Sequence, residues 1–155
     1  MRGLVIFTAQ YLYLAIIAIA LIEAICAKAT TRAAFIRLSA ISLPLAFIVD
    51  KILNYIISNP RPFVVEGIAP LFPHSPDNGF PSDHTLLVMT VAAIVFTYNR
   101  KLGVVLGILG LLVGVARVLA KVHHPMDIAG SAIIAVISVY TVNRLLLKNI
   151  TSLNR

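Results

Sequence analysis

The 155-residue chain is 59% hydrophobic and only 12% charged, with a mean hydropathy of +0.95. A soluble domain carries about twice that share of charged residues, so the composition excludes an ordinary soluble protein. The formal net charge of +7 is compatible with nucleic-acid binding, but the positions of the charges along the chain argue against it.

Five apolar runs predict five membrane-spanning helices, because a helix rises about 1.5 Å per residue and the hydrocarbon core is about 30 Å thick. The runs are residues 3–27, 35–57, 85–98, 102–119 and 128–147, and the third is the shortest. The first run has no small-residue cleavage site close behind it, so we expect a permanent span and not a signal peptide. The single cysteine, Cys26, excludes an internal disulfide framework and is expected to be a small buried residue. The sequence predicts an all-α, multi-pass helical bundle in which residues 1–155 form a single domain.

The basic residues indicate how the spans are oriented, because they accumulate in cytoplasmic loops. One predicted side carries a single acid, Glu23, and eight basic residues, which are Lys28, Arg32, Arg37, Arg100, Lys101, Arg144, Lys148 and Arg155. The other side carries five basic and five acidic residues, so the whole net charge of +7 lies on one face. We therefore predict a multi-pass protein of the cell membrane with a cytoplasmic C-terminus, whose excess charge matches anionic headgroups and not nucleic acid.

The electroneutral, extracytoplasmic side contains the groups that could do chemistry. All four histidines and five of the six carboxylates lie there, together with the one long loop, residues 58–82, which holds six of the eight prolines. Ionisable groups at membrane depth are costly and usually functional. This side is therefore expected to carry the functional site.

Two segments on this side supply candidate phosphate-binding residues. Arg61 lies between two prolines, which end the second span and fix the local backbone. Ser82 is predicted as the N-cap of the third span, with Asp83 and His84 in the first turn. Because a helix N-terminus offers free amides and a partial positive charge, this position favours an anion such as phosphate.

A third segment contains Arg117, His123 and Asp127, close to Pro125, which suits the first turn of the last span. The four-residue spacing lets Asp127 bind one imidazole nitrogen of His123 and leave the other nitrogen basic. Arginines that fork onto phosphate oxygens, a helix N-terminus and two histidines suit phosphoryl transfer. One histidine can act as nucleophile and the other as acid. We predict no metal or other cofactor, because no zinc motif occurs and the carboxylates are too dispersed to hold Mg²⁺.

The segments RP at residues 61–62, PSDH at residues 81–84 and R-x5-H-x3-D at residues 117–127 resemble the three-part signature of the type 2 phosphatidic acid phosphatase family. Members of that family are membrane lipid phosphatases that share their active site with vanadium haloperoxidases. The short chain and the sequence PHS…FPSDHT are most similar to small bacterial undecaprenyl diphosphate phosphatases. The resemblance implies that His123 forms a phosphohistidine, that Asp127 orients it and that His84 protonates the leaving group. It also implies a phosphate-binding set, which is Arg61, Arg117, Ser82 and the backbone amide of Asp83.

The chain departs from the family pattern at several positions. Asn54 stands where the family usually has a lysine, and Lys51, one helical turn earlier, is a candidate substitute in phosphate binding; alternatively, Lys51 extends to the interface beside Asp50. Asp83 stands where glycine is common, and Ala116 stands where serine is common. Family members tend to have six spans, so the chain is expected to lack the first of them.

Five other polar residues lie on this side, outside the sets that the resemblance implies. Lys121 and His124 either contact the second phosphate of a diphosphate or face interfacial water. His74, Glu66 and Asp77 are expected to be solvated loop residues.

These observations predict a metal-independent lipid phosphatase that acts at the outer leaflet through a phosphohistidine intermediate. Because the loops are short, a substrate with an apolar tail that arrives through the bilayer suits the chain better than a soluble sugar phosphate. Undecaprenyl diphosphate is the first choice of substrate, which implies a role in cell wall biogenesis. The alternatives are a phosphatidylglycerol phosphate or phosphatidic acid phosphatase and, in another class, a non-catalytic carrier of lipid phosphates. The sequence does not predict the oligomeric state.

Overall fold

The computed structural model describes the backbone of residues 1–153 and the side chains of residues 1–146. Its helices are α1 (Arg2–Gln10), α2 (Leu12–Cys26), α3 (Ala29–Ile56), α4 (Pro62–Val65), α5 (Asp83–Phe96), α6 (Arg100–Leu119) and α7 (Pro125–Leu153). Within residues 1–153 no strand forms, and the one isolated bridge pairs Pro60 with Asn78. The predicted all-α fold is therefore confirmed. The side chains of Lys148 and Arg155, on which the predicted orientation partly depends, lie outside the described residues.

The helices of the described residues are long and apolar enough for a multi-pass membrane protein. Three of them, α3, α6 and α7, can each cross a bilayer, and α1 and α2 make a fourth span if this pair, bent by 45°, crosses as one unit. The apolar α5 has only 14 residues, a length of about 21 Å at about 1.5 Å per residue. The count of five spans stays a prediction, because α5 is shorter than the hydrocarbon core of about 30 Å.

The outer surface of the bundle is apolar, as a lipid environment requires. Large side chains such as Ile22, Phe47, Ile108 and Ile133 are more than half exposed, and a soluble protein rarely leaves so much apolar surface uncovered. The expectation that Cys26 is buried is wrong, because this residue is exposed at the end of α2. An apolar residue of a membrane helix can face lipid as well as the protein interior, so its hydrophobicity does not predict its burial.

The short helix α5 lies at the centre of the bundle and packs against α2, α3, α6 and α7. Eight of its 14 residues are buried, which explains why its sequence is apolar on all sides. Helix α6 approaches α5 closely because it has a glycine at the contact: a Cβ on Gly110 would lie 3.0 Å from Sδ of Met89 and 3.1 Å from Cγ2 of Val88. The N-terminus of α5 is thereby fixed at the middle of one end of the bundle.

Hydrogen bonds of asparagine side chains hold the connection between α3 and α5 against the C-terminal end of α3. The side chain of Asn54 donates to the carbonyl of Phe80 at 2.7 Å. The side chain of Asn78 donates to the carbonyls of Asn54 and Ile57, each at 2.6 Å, and accepts from the amide of Asn59 at 2.8 Å. These bonds satisfy backbone groups that the helix end leaves unpaired, so this connection has a defined position beside the start of α5.

Candidate functional site

His123 lies in the connection between α6 and α7, and its side chain is 2% exposed. Its Nδ1 is 2.9 Å from the carbonyl oxygen of Gly79 and 3.2 Å from Oδ2 of Asp127. A carbonyl oxygen can only accept a hydrogen bond, so Nδ1 must carry the ring proton. Nε2 of the neutral ring therefore keeps its lone pair, which is the state that a nucleophilic imidazole needs.

Arg61 directs its guanidinium at this free nitrogen. Its Nη1 is 3.2 Å from Nε2 of His123 and donates to the carbonyl of Val122 at 2.8 Å. Its Nε donates to Oδ1 of Asp77 at 2.7 Å. Asp77 is a solvated loop residue, as expected, with a side chain that is 64% exposed, and its carboxylate also forms an ion pair that orients Arg61.

Asp127 is fully buried in the first turn of α7, and each of its oxygens has a donor. Its Oδ2 accepts from the backbone amide of His124 at 2.7 Å as well as facing His123. Its Oδ1 accepts from Nδ2 of Asn59 at 2.7 Å. The sequence interpretation missed Asn59, although it directly precedes the PRP segment from which Arg61 was selected.

Ser82 is the N-cap of α5, as predicted, but its side chain does not cap the helix. Its hydroxyl accepts from the hydroxyl of Thr85 at 3.2 Å, and its amide donates to Oγ of Ser131 at 2.8 Å. Oγ of Ser131 lies 2.7 Å from the carbonyl of Asp127, so this buried serine joins the start of α5 to α7. Ser131 was also missed, although it follows Asp127 by one helical turn and so lies on the same face.

His84 occupies the first turn of α5, and its ring packs edge-on against Tyr13 of α2 with ring centroids 4.9 Å apart. The imidazole is within electrostatic range of both Arg117 and His123. The backbone amides of this first turn have no partner inside the helix. The structure therefore brings His84, these amides and the nucleophile candidate to the same end of the bundle.

Arg117 lies in the last turn of α6, and it is 3% exposed. Its Nη1 donates to the carbonyl of Ala9 in α1 at 3.2 Å, and its Nη2 is 3.0 Å from Nε2 of His74. The ring of His74 also meets the ring of His123 edge-on, with centroids 6.2 Å apart. The expectation that His74 is a solvated loop residue is therefore wrong.

Lys51 forms ion pairs with two carboxylates. Its Nζ is 3.0 Å from Oδ1 of Asp83 and 3.0 Å from Oδ2 of Asp50. The contact with the buried Asp50 has ion-pair distance but lacks the geometry of a hydrogen bond. Lys51 neutralises Asp83 beside the site, and its predicted contact with phosphate stays a prediction. Asn54, at the position of the family's lysine, instead holds Phe80.

Lys121 and His124, the candidates for contact with a second phosphate, contact the protein itself. Nζ of Lys121 pairs with the carboxylate of Glu66 at 3.0 Å, and both side chains are 45% exposed. Nε2 of His124 is 3.1 Å from the carbonyl oxygen of Pro60. In this arrangement Lys121 neutralises Glu66, which makes Glu66 a paired residue and not only a solvated one.

Burial favours the neutral form of two histidines at the site, His123 and His74. Burial lowers the pKa of His123 below its ordinary value of 6.5, the hydrogen bond to Asp127 opposes this effect, and the charges of Arg117 and Arg61 add to it. Burial and then the charge of Arg61 lower the pKa of His74 in the same direction. Both rings are therefore neutral at pH 7. Among the described residues no group of three or more histidine, cysteine or acidic side chains is arranged to hold a metal ion.

Comparison with known proteins identifies a family whose sequence model matches most of the chain. A family model described as the PAP2 superfamily matches residues 10–151. The chain is 39% identical over 94 residues to Undecaprenyl-diphosphatase BcrC of Bacillus subtilis (strain 168), which covers 58% of this chain and 49% of that protein. It is 36% identical over 113 residues to Bacitracin transport permease protein BcrC of Bacillus licheniformis, which covers 70% and 56% respectively. The chain thus spans about half the length of the curated relatives it matches.

Two solved structures share the fold. LpxE of Aquifex aeolicus has a TM-score of 0.76 at 22% identity and covers 93% of this chain and 87% of its own. A PAP2 type phosphatidylglycerolphosphate phosphatase of Bacillus subtilis has a TM-score of 0.51 at 18% identity and covers 95% and 84% respectively. At these identities the two structures show a common helical architecture and nothing about substrate.

Proposed function

The chain belongs to the PAP2 superfamily, and we propose that it hydrolyses a lipid phosphate or diphosphate through a phosphohistidine on His123. This membership confirms the resemblance to the type 2 phosphatidic acid phosphatases. The observation that carries the proposal is the state of the His123 ring. Its Nδ1 is bound by Gly79 and Asp127, and its lone pair on Nε2 faces Arg61, a side chain suited to phosphate.

The terminal phosphoryl group binds in what we call the phosphate site, which comprises Arg61, Arg117, Ser82 and the first-turn amides of α5. The two arginines supply fixed positive charge in a buried setting, where it stabilises the charge on the transferring group. The hydroxyl of Ser82 accepts from Thr85 and keeps its own proton to donate. The amides add the partial positive charge of a helix N-terminus.

In the first step, the lone pair on Nε2 of His123 attacks phosphorus, and the bond from phosphorus to the leaving oxygen breaks. The negative charge of the bound phosphate favours the protonated form of His84. His84 then gives its proton to the leaving oxygen, while Asp127 stabilises the positive charge that forms on the His123 ring. In the second step, neutral His84 takes a proton from water, whose oxygen attacks phosphorus and breaks the P–N bond. The products are inorganic phosphate and the lipid with one phosphoryl group fewer.

A groove beside the site supports a substrate with an apolar tail. It has a volume of about 520 Å³, lies between α3 and α5, and is lined by Leu43, Pro44, Ala46, Phe47, Asp83, Leu86, Leu87 and Thr90. Asp83 directly precedes His84, so the groove reaches the first turn of α5 from the apolar side of the bundle. A hydrocarbon chain laid in this groove would bring its phosphorylated end to the phosphate site, whereas a soluble phosphate would leave the groove empty.

Undecaprenyl diphosphate is the substrate that we propose first. Relatives that carry the name undecaprenyl-diphosphatase include the Bacillus subtilis protein and one from Sulfolobus acidocaldarius, 33% identical over 90 residues, which covers 57% of this chain and 44% of that protein. The uneven charge along the chain, with its neutral side at the site, supports a reaction at the outer leaflet. The alternative substrates are phosphatidylglycerol phosphate, which a relative in fold is named for, and phosphatidic acid.

A lipid panel tests this proposal. The purified protein in detergent is incubated with undecaprenyl diphosphate, phosphatidylglycerol phosphate or phosphatidic acid in the presence of EDTA, and released phosphate is measured. We expect turnover that EDTA does not abolish, that is fastest with undecaprenyl diphosphate, and that His123→Ala abolishes. Absence of phosphate release from every lipid, or a strict requirement for Mg²⁺, would contradict the mechanism. Faster turnover of another lipid would overturn only the choice of substrate.

A further inference from the structure

His74 has contacts that a solvated loop residue does not need. Its Nε2 lies 3.0 Å from Nη2 of Arg117, and its ring packs edge-on against His123. The ring of Phe72 also lies near the imidazole, with centroids 6.2 Å apart. The imidazole is therefore held in place next to both the nucleophile candidate and an arginine of the phosphate site.

The segment that carries His74 is anchored to α6. The amide of Leu71 donates to the carbonyl of Ala120 at 3.2 Å. Phe72 is buried in an apolar cluster with Ala120 and with Ala9 of α1. This anchoring fixes the start of the segment against the same two helices that hold Arg117, so the position of the imidazole relative to the guanidinium is set by packing.

The hydrogen bond between the two side chains has only one direction. A guanidinium has donors and no acceptor, so Nε2 of His74 accepts from Arg117, and the ring proton is on Nδ1, which faces the carbonyl of Ser75 at 3.3 Å. Burial and the nearby charges of Arg61 and Arg117 keep this ring neutral by lowering its pKa. A neutral acceptor orients the guanidinium without cancelling its charge, whereas a carboxylate in the same place would neutralise it and compete with phosphate.

Arg117 depends on such a partner. Apart from His74, its recorded hydrogen bond goes to the carbonyl of Ala9, and its buried Nε has no partner among the described residues. Because Nη1 is held by the carbonyl of Ala9 in α1 and Nη2 by His74, the remaining N–H groups of the guanidinium are left for phosphate oxygens. Arg61 differs, because the acid Asp77 holds its Nε and leaves Arg117 as the uncompensated cation of the pair.

We propose that His74 is a positioning residue of the phosphate site, which holds Arg117 through a neutral acceptor so that the arginine is oriented and fully charged before substrate binds. The inference rests on the proposed function, since it concerns the same phosphate. It assigns a role to a histidine outside the three motif segments, and it explains why that residue is not an aspartate or a glutamate.

The test uses three substitutions at this position in the full-length protein. His74→Ala removes the acceptor, His74→Gln keeps a neutral acceptor, and His74→Glu keeps an acceptor of the same size but adds a negative charge. Binding of orthovanadate, a phosphate mimic, is measured by calorimetry, and kcat/KM is measured with undecaprenyl diphosphate. Ser75→Ala is the matched control in the same segment, and the thermal unfolding midpoint of each variant reports folding.

We expect His74→Ala to weaken orthovanadate binding and kcat/KM by about tenfold or more, the usual effect of losing a hydrogen bond to a charged group. His74→Gln should stay within about threefold of the unchanged protein, His74→Glu should bind at least as weakly as the alanine variant, and Ser75→Ala should not change either quantity. If the alanine variant does not fold, the glutamine and glutamate variants decide, because both have an acceptor oxygen at the same distance from the backbone and only glutamate is charged.

Three results would overturn the inference. The first is orthovanadate binding by His74→Ala that equals that of the unchanged protein. The second is a glutamine variant as weak as the alanine variant, because the imidazole would then act in its own right. The third is a glutamate variant that binds like the unchanged protein. If the unchanged protein binds orthovanadate but releases no phosphate from any lipid, only the proposed function fails; if it binds no orthovanadate, both fail.

Discussion

Substitution of Asn59 by leucine removes one hydrogen bond from the site and changes little else. The Nδ2 of Asn59 donates to Oδ1 of Asp127 at 2.7 Å. The backbone carbonyl of Asn59 still accepts from the amide of Gly79, and its backbone amide still donates to Asn78. Leucine has the same number and branching of side-chain heavy atoms but no donor, so Oδ1 of a fully buried carboxylate loses its side-chain partner.

The size of the effect follows from the burial of Asp127. Leaving one partner of a buried, charged hydrogen bond unsatisfied costs about 2 to 3 kcal/mol. If that cost falls on the orientation of the Asp127 carboxylate against the His123 ring, kcat/KM drops by about 30- to 150-fold, since about 1.4 kcal/mol corresponds to a factor of ten. If it falls on folding instead, the thermal unfolding midpoint drops and the specific activity of the folded protein does not.

The assay is phosphate release from undecaprenyl diphosphate at pH 7 by Asn59→Leu, with unfolding of the same sample followed in detergent. Asn143→Leu is the matched control, because Asn143 lies in α7 beside a cavity at the other end of the bundle. We expect the control to retain activity within about twofold, as is usual for a substitution away from the site. Asn59→Leu with the activity and the unfolding midpoint of the unchanged protein would refute the claim that this hydrogen bond holds Asp127.

The remaining predictions concern packing, protonation and the groove. Gly79→Ala should lower kcat at least tenfold, because a Cβ there would lie 3.2 Å from Oδ2 of Asp127 and 3.1 Å from the carbonyl of Asn59. Displacing Asp127 even slightly is expected to slow the reaction, since small displacements of catalytic groups are costly. An unchanged kcat would contradict the close contact between residue 79 and Asp127. Because the pKa of His123 is lowered from 6.5, kcat/KM should rise with pH along an acidic limb whose midpoint lies below pH 6.5. The free energy of unfolding should fall as the pH drops through the same range, because the unfolded state binds the proton more readily. A midpoint above pH 7 would show that His123 is not kept neutral. Leu87→Trp should fill the groove between α3 and α5 and lower kcat/KM for undecaprenyl diphosphate while sparing a short-chain soluble phosphate ester; equal losses with both substrates would remove the groove from tail binding.

The residues that the sequence could predict lie in short segments with local spacing rules. Asp127 follows His123 by four residues, which is one helical turn, and the two do meet. Ser82 precedes an apolar run and does begin a helix. Polar residues in an apolar chain also stand out by composition alone, so the end of the bundle where they gather could be predicted without coordinates.

The residues that were missed act across long separations in the sequence. Asn59 and Asp127 are 68 positions apart, Ser82 and Ser131 are 49 apart, and His74 lies 43 positions from Arg117. No local periodicity relates such positions, and each residue type is common in loops or helices for other reasons. Only the packing of α5 against α7, and of the 71–74 segment against α6, brings these pairs together.

The charge balance around Asp83 shows the same limit. Asp83 places a negative charge beside the proposed phosphate site, and the sequence left two alternatives for Lys51, a substitute in phosphate binding or a side chain that extends to the interface beside Asp50. In the structure Lys51 and Asp83 pair with each other at 3.0 Å. The lysine at position 51 therefore neutralises the acid that stands where the family commonly has glycine. Each residue could be selected from the sequence, but their contact depends on how α3 crosses the start of α5.

The most direct measurement is to trap the covalent intermediate. The protein is mixed with undecaprenyl diphosphate labelled in its terminal phosphoryl group, quenched in alkali within the first turnover because a phosphohistidine is stable in base, and digested for mass spectrometry. We predict one labelled peptide, with the phosphoryl group on His123, and no label in the His123→Ala variant. Label on His84 or His74, or turnover without any labelled histidine, would contradict the account.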